Sequence, residues 1–378
     1  MPDVKHIEKQ IVEAIHRKNY GKAATAAEAL TASHPLRILS CGLRMLYTEK
    51  SFEEASKLLR RGYKLLPNDP FVALSLAEAL TLSGNPKKGI SVIKETLATK
   101  ASHPDLEIKL TMLLFQDGQH NEAINLLQQS IHSHLKPHRK ALGFLYFSCG
   151  QFQNAAQIYR QLTLEDPRDS EAFFNLGCSY LRFKSHREAE LALKHADLLG
   201  FKNKSDLYSH LGIAVEEQNR PEEARRMFER CIKVSPPGTA VDATYHLALN
   251  YLRTGRLKEG FNLYDARFTR SGSRPHNPPT TIPWWDGVVM QGRLLLWSEQ
   301  GIGDQVLYSK TFPWLTDVFK GKIDCVIEER LISMIQGLYP RINFVAQPAI
   351  KTGDYDFHLA TGSIPRIIFA RDEGATWL

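Results

Sequence analysis

A small residue returns along this chain at nearly constant spacing. It appears as Ala23, Ala55, Gly89, Ala123, Ala155, Ala189, Ala224 and Gly260, at intervals of 32, 34, 34, 32, 34, 35 and 36 residues. Four positions later stands a packing side chain: Ala27, Leu59, Ile93, Leu127, Tyr159, Leu193, Phe228 and Tyr264. Residues four apart share a helix face, so each pair marks a helix. In 171–200 a second small residue, Gly177, precedes Ala189 by twelve positions. A small residue on each of two successive helices lets their backbones approach, which predicts a helical hairpin. Between the helices stand Gly84, Gly118, Gly150, Asn219 and Gly255, residue types that tolerate the left-handed conformation closing a helix. Pro35, Pro67, Pro167 and Pro236 follow the second small residue by twelve and mark hairpin ends. Units of this kind bury their faces against neighbours, so 378 residues need no single large core.

A two-helix unit near 34 residues, repeated about eight times over 6–267, resembles the tetratricopeptide repeat (TPR). The first two copies fit least well, and the second predicts an irregular boundary between its helices. The resemblance implies a mainly α solenoid whose first helices line a groove for an extended peptide or partner helix. Asn175, His210 and His246 stand two residues before the first small residue of their hairpins. In solenoids of the O-GlcNAc-transferase type an asparagine near this place binds peptide backbone, since an amide both donates and accepts. Upstream the equivalent residues are Ala141, Lys109 and Ser75, so the competing reading is a column of ordinary polar groove residues.

The net charge of +7 comes from basic residues spread among acidic ones. That predicts a solvated surface and no nucleic-acid partner. Five widely spaced cysteines, Cys41, Cys149, Cys178, Cys231 and Cys325, suit a reducing compartment without disulfides. Residues 1–10 lack a signal-peptide core, and no run approaches the roughly 18 apolar residues of a membrane span. A cytoplasmic protein is expected. His132, His134 and His138 sit at a hairpin junction without a cysteine or carboxylate set, so a solvated turn is expected and no metal site.

The period changes after Tyr264. A Pro/Gly/Ser-rich linker is expected over 268–283, and a partial Rossmann-like α/β domain over 284–378. Short apolar runs at 294–297, 323–327, 342–346 and 355–359 read as strands, with helices at 305–319 and 329–338. Trp285-Asp286-Gly287, Gly292 and Glu299-Gln300-Gly301-Ile302-Gly303-Asp304 are similar to the segment following TPR arrays in bacterial TPR-glycosyltransferases of GT-B architecture. The resemblance covers about 283–365 and departs at Lys310-Thr311, where family members carry Arg-Tyr. It implies that Glu299, Gln300, Gly301 and Gly303 form a loop for a nucleotide-sugar diphosphate, with Asp304 as the base for the acceptor hydroxyl. The competing readings are that Asp304 caps the helix, that Glu299 holds the loop, and that Trp284 and Trp285 pack the linker rather than stack on a sugar. No cofactor is expected beyond a nucleotide-sugar donor. A GT-B enzyme needs two such domains, and the sequence ends within the first, which reads as a truncation or a part that a partner completes. The expectation is a protein-binding TPR scaffold fused to an incomplete glycosyltransferase domain. The alternatives are an active glycosyltransferase fed by the groove, and a pure assembly module.

Overall fold

The computed structural model describes residues 4–31, 34–99, 103–270, 282–346 and 354–371. It divides into two compact units, Met1–Ser185 and His186–Leu378. In the first, helices pair as α1 (Val4–His16) with α2 (Tyr20–Ala27), α3 (Pro35–Arg44) with α4 (Phe52–Leu65), α5 (Pro70–Leu82) with α6 (Pro86–Thr99), α7 (Pro104–Gln116) with α8 (His120–Gln129), and α9 (Lys136–Ser148) with α10 (Phe152–Glu165). The unit closes with α11 (Ser170–Arg182). The second opens with α12 (His186–Leu198), then α13 (Lys204–Glu216) with α14 (Pro221–Val234) and α15 (Val241–Arg253) with α16 (Leu257–Tyr264).

The five turn residues named from sequence all have positive φ: Gly84 81°, Gly118 81°, Gly150 77°, Asn219 58° and Gly255 78°. Lys18, Lys50 and Lys184 adopt the same conformation at φ 56°, 56° and 63°. They complete the series, each five residues before its second small residue. Lysine carries no signature for this conformation, so the sequence pattern left those three turns unmarked. The irregular second hairpin is a π-helical turn at Met45–Glu49, ended by Lys50. Pro35 lies at the start of α3. Its missing N–H is harmless there, so it opens a hairpin rather than ending one.

In three hairpins a glycine of the first helix, Gly42, Gly143 or Gly212, faces the packing side chain of the second, Leu59, Tyr159 or Phe228. A Cβ added to Gly143 would lie 2.9 Å from the Tyr159 ring, and one on Gly212 would lie 2.4 Å from Phe228. The buried rings of Tyr159 and Phe228 therefore occupy the volume that a side chain on the first helix would need.

In the second unit, a four-stranded parallel sheet follows α16, formed by β1 (Arg293–Trp297), β2 (Lys322–Ile327), β3 (Ile342–Ala346) and β4 (Phe357–Ala360). The order is β3-β2-β1-β4, with Leu296 opposite Cys325 and Leu359. Leu294, Leu296, Ile323, Cys325 and Leu359 join one buried core with Trp285, Phe312 and Phe319. The segment expected as one helix over 305–319 is two: α17 (Ile302–Ser309) and α18 (Phe312–Val318). Pro313 in the first turn of α18 cannot continue a preceding helix, and the Thr311 hydroxyl donates to the Tyr308 carbonyl. α19 spans Glu329–Ile335, shorter than the expected 329–338, and α20 (Ile364–Ala370) follows β4. Most of the expected linker, and the chain after Arg371, lie outside the described residues.

Candidate functional site

Open parallel sheets take ligands at the carboxyl ends of their strands, where the strand order reverses. Here that place is between β1 and β4. The side chain standing in it is Arg267, from a 3₁₀ turn (Asp265–Phe268) that directly follows α16. Arg267 is 8% exposed. Its Nε and Nη2 donate to Glu299 Oε1 at 2.9 and 2.7 Å, Nη2 to Ser363 Oγ at 3.0 Å, and Nη1 to Asp265 Oδ1 at 2.8 Å and the Tyr264 carbonyl at 3.1 Å. Its guanidinium lies 4.4 Å from the Tyr264 ring centroid and 4.1 Å from that of Phe268. Ser363 Oγ donates to Asp265 at 2.6 Å, and Arg366 pairs with the same carboxylate at 3.1 Å. A Cβ on Gly362 would fall 3.0 Å from Glu299 Oε1 and 3.1 Å from Arg267 Nη2, so any side chain there would have to push this buried pair aside by a few tenths of an ångström.

The loop predicted for a diphosphate thus divides. Glu299 and Gln300 turn toward the end of the solenoid: Glu299 holds Arg267, and Gln300 Nε2 donates to Tyr264 Oη at 3.0 Å. Gly301, Gly303 and Asp304 are exposed. Gly301 is the cap of α17, and Asp304 lies in its first turn, where a carboxylate complements the helix dipole. Tyr308 of α17 packs with Tyr264, and burial pushes both phenols up in pKa. Phe369 of α20 stacks on Phe261 of α16 at 5.9 Å. The last hairpin is therefore covered by the α/β elements, as a solenoid end requires. Trp285 is fully buried, while Trp284, 38% exposed, packs against Phe268, Trp297 and His358.

On the first helices, Asn175 is half-buried in the first unit. In the second, His210 Nδ1 bonds the Asp206 carbonyl at 2.7 Å, and His246 stacks on Phe228 at 5.5 Å. Burial, with Arg270 adding to it, lowers the His246 pKa. His138 is buried, its Nε2 3.0 Å from Glu107 Oε2, so it is a core pair between α7 and α9 rather than part of a solvated turn.

Ion pairs tie successive repeats. Asp169, the cap of α11, bonds the Ala172 N–H and pairs with Lys136 and Lys140 of α9 at 2.8 and 2.9 Å. In the second unit Glu190 pairs with Lys194 at 2.6 Å and with Arg220 at 2.7 Å. Burial raises the pKa of both carboxyls, but these bonds outweigh it and hold each at about 2. A depressed folded-state pKa gives stability that is complete above the unfolded value, near 4, and is lost as pH falls toward 2. Acid titration followed by circular dichroism is expected to show helix loss across that window. Asp169→Asn should flatten the dependence, and an unchanged curve would remove this account.

Stacked hairpins of this geometry define a TPR-like solenoid, followed by a small parallel α/β unit. The tetratricopeptide repeat family profile matches residues 141–197 and 211–273. Protein FlbA of Caulobacter vibrioides (strain ATCC 19089 / CIP 103742 / CB 15) is 24% identical over 250 residues, covering 55% of this chain; the chain spans 41% of that relative's length. Among solved structures, the APC/C hetero-tetramer Cut9-Hcn1 aligns at 18% identity with a TM-score of 0.49, over 66% of this chain and 49% of that one. A tetratricopeptide repeat protein from Parabacteroides merdae ATCC 43184 aligns at 14% identity with a TM-score of 0.48, over 65% of this chain and 98% of that one. Among the described residues, no helix is long and apolar enough to cross a membrane.

Proposed function

We propose that this chain is a protein-binding scaffold whose first helices hold an extended peptide or a partner helix, joined to an α/β unit of glycosyltransferase type. What supports this reading is the run of hairpins locked by small-residue contacts such as Gly143 on Tyr159 and Gly212 on Phe228. Such locking gives a rigid series of similar surfaces, the property that repeat proteins use to bind partners. Asn175 serves this role in the first unit, and His210 and His246 in the second. Affinity capture tests it: alanine at these three positions should reduce partner recovery, and undiminished recovery would move binding off the first helices.

A second reading, transfer of a sugar from a nucleotide sugar to a protein or glycan acceptor, is favoured by one observation. Gly301, Gly303 and Asp304 remain exposed at the start of α17, beyond the end of β1. Asp304 is then the base, and Gly301 and Gly303 admit the diphosphate. Incubation with UDP-sugars, with free UDP as the readout, decides it. Release that survives Asp304→Asn would dismiss the base, and no release from the intact chain would remove the enzyme reading.

A further inference from the structure

Away from the first helices, the first unit carries a concentration of cations on two second helices. Along α4, Lys57, Arg60, Arg61 and Lys64 are exposed, at spacings that keep them on one side of the helix. Lys87 and Lys88, also exposed, begin the adjacent α6. Between the helices lies an open cleft of about 480 Å³, with Lys57, Arg60 and Lys88 on its walls and Ser83 and Asn85 beside them. Glu53 in the first turn of α4 also lines the cleft and pairs with Lys57 at 3.0 Å; Glu54 lies beside it, and Glu95 is exposed farther along α6. Among the described residues, Arg60, Arg61, Lys64, Lys87 and Lys88 have no acidic partner. By contrast, Lys94 farther along α6, and Lys136, Arg139 and Lys140 of α9, are paired with carboxylates.

We propose that this cleft docks an acidic, Asp/Glu-rich segment of a protein partner. The proposal rests on the scaffold reading above and gives it a second, charge-selective surface. Arg60 and Lys88 on the cleft, with Arg61, Lys64 and Lys87 on the same two helices, create a positive potential that steers and orients an acidic chain. Single-stranded nucleic acid is disfavoured because none of the side chains lining the cleft carries an aromatic ring on which bases could stack.

The test is fluorescence anisotropy of the full chain with a labelled decapeptide of alternating Glu and Asp. Binding is expected at low salt, weakening steeply toward 0.5 M as exposed charges are screened. Arg60→Glu/Arg61→Glu/Lys88→Glu should lose at least about tenfold in affinity, with a circular dichroism melt verifying the fold. The milder Arg60→Gln/Lys88→Gln should lose about threefold. No binding by the parent chain overturns the proposal, as does equal affinity in the reversed variant. Tighter binding to a single-stranded oligonucleotide or to anionic vesicles than to the peptide also overturns it. Capture of partners through Asn175, His210 and His246 alongside failure of the peptide would sink this cleft and leave the scaffold reading standing. Failure of both would remove both.

Discussion

Arg267→Ala is expected to destabilise the second unit by about 3–5 kcal/mol, because it leaves buried carboxylate unpaired. Among the described residues, Glu299 Oε1 loses both of its guanidinium bonds and keeps the one from Gln300 Nε2 at 3.2 Å, and Asp265 keeps only Ser363 and Arg366. The loss should fall on the junction between the last hairpin and the sheet. All five tryptophans lie beyond the repeats, at 284, 285, 297, 314 and 377, so intrinsic fluorescence reports the α/β part while circular dichroism at 222 nm is dominated by the hairpins. In urea the parent chain's second unit should lose both signals together. In Arg267→Ala the fluorescence transition should come first. Arg267→Lys keeps the charge without the fork and should fall between the two. Adding Glu299→Gln to Arg267→Ala should recover part of the stability, since the orphaned charge is gone. A single variant within about 1 kcal/mol of the parent, well below the range for breaking a buried pair, would show that this network does not hold the junction.

The second large effect is expected at Phe228, which is fully buried in the hairpin of α13 and α14. Phe228→Ala should cost about 3–5 kcal/mol through lost burial and the cavity left behind. Gly212→Ala alone should cost about 1–3 kcal/mol, because its methyl would sit 2.4 Å from the Phe228 ring. Together they should cost less than their sum, since the new methyl enters space the ring has vacated. Strict additivity in a thermal or urea double-mutant cycle would mean that the two residues do not share that volume.

The repeats were legible because their signals are local and recur. Small residues, packing side chains and turn glycines repeat in phase, and β1, β2 and β3 stand out as short apolar runs between turn residues. The three left-handed lysines were not legible, since lysine is compatible with almost any backbone and carries no preference for this one. The division of 305–319 was missed although Pro313 was visible, because the amphipathic pattern continues across it. At the crevice, the Glu-Gln-Gly block marks Glu299 and Gln300, and holding the loop is one of the roles open to the Glu299 carboxylate. Its partner was not foreseen. Arg267 lies 32 residues away in a turn with no motif of its own, and pairing over that distance leaves no periodic trace. Ser363, 96 residues from Arg267, escapes for the same reason, while Tyr264 is marked in the sequence only as a packing side chain of the last repeat and Asp265 shares the turn without a motif.

Residues 283–285 run along the outer side of β4, where Trp285 donates its backbone N–H to His358 at 2.9 Å and Pro283 accepts from His358 at 3.0 Å. Pro283 turns its carbonyl inward, so the N–H it lacks would also face β4, and the pairing is confined to the single bridge at Trp284. This short segment covers part of the flank of β4, which shortens the length of backbone open to strand addition by another copy of the chain.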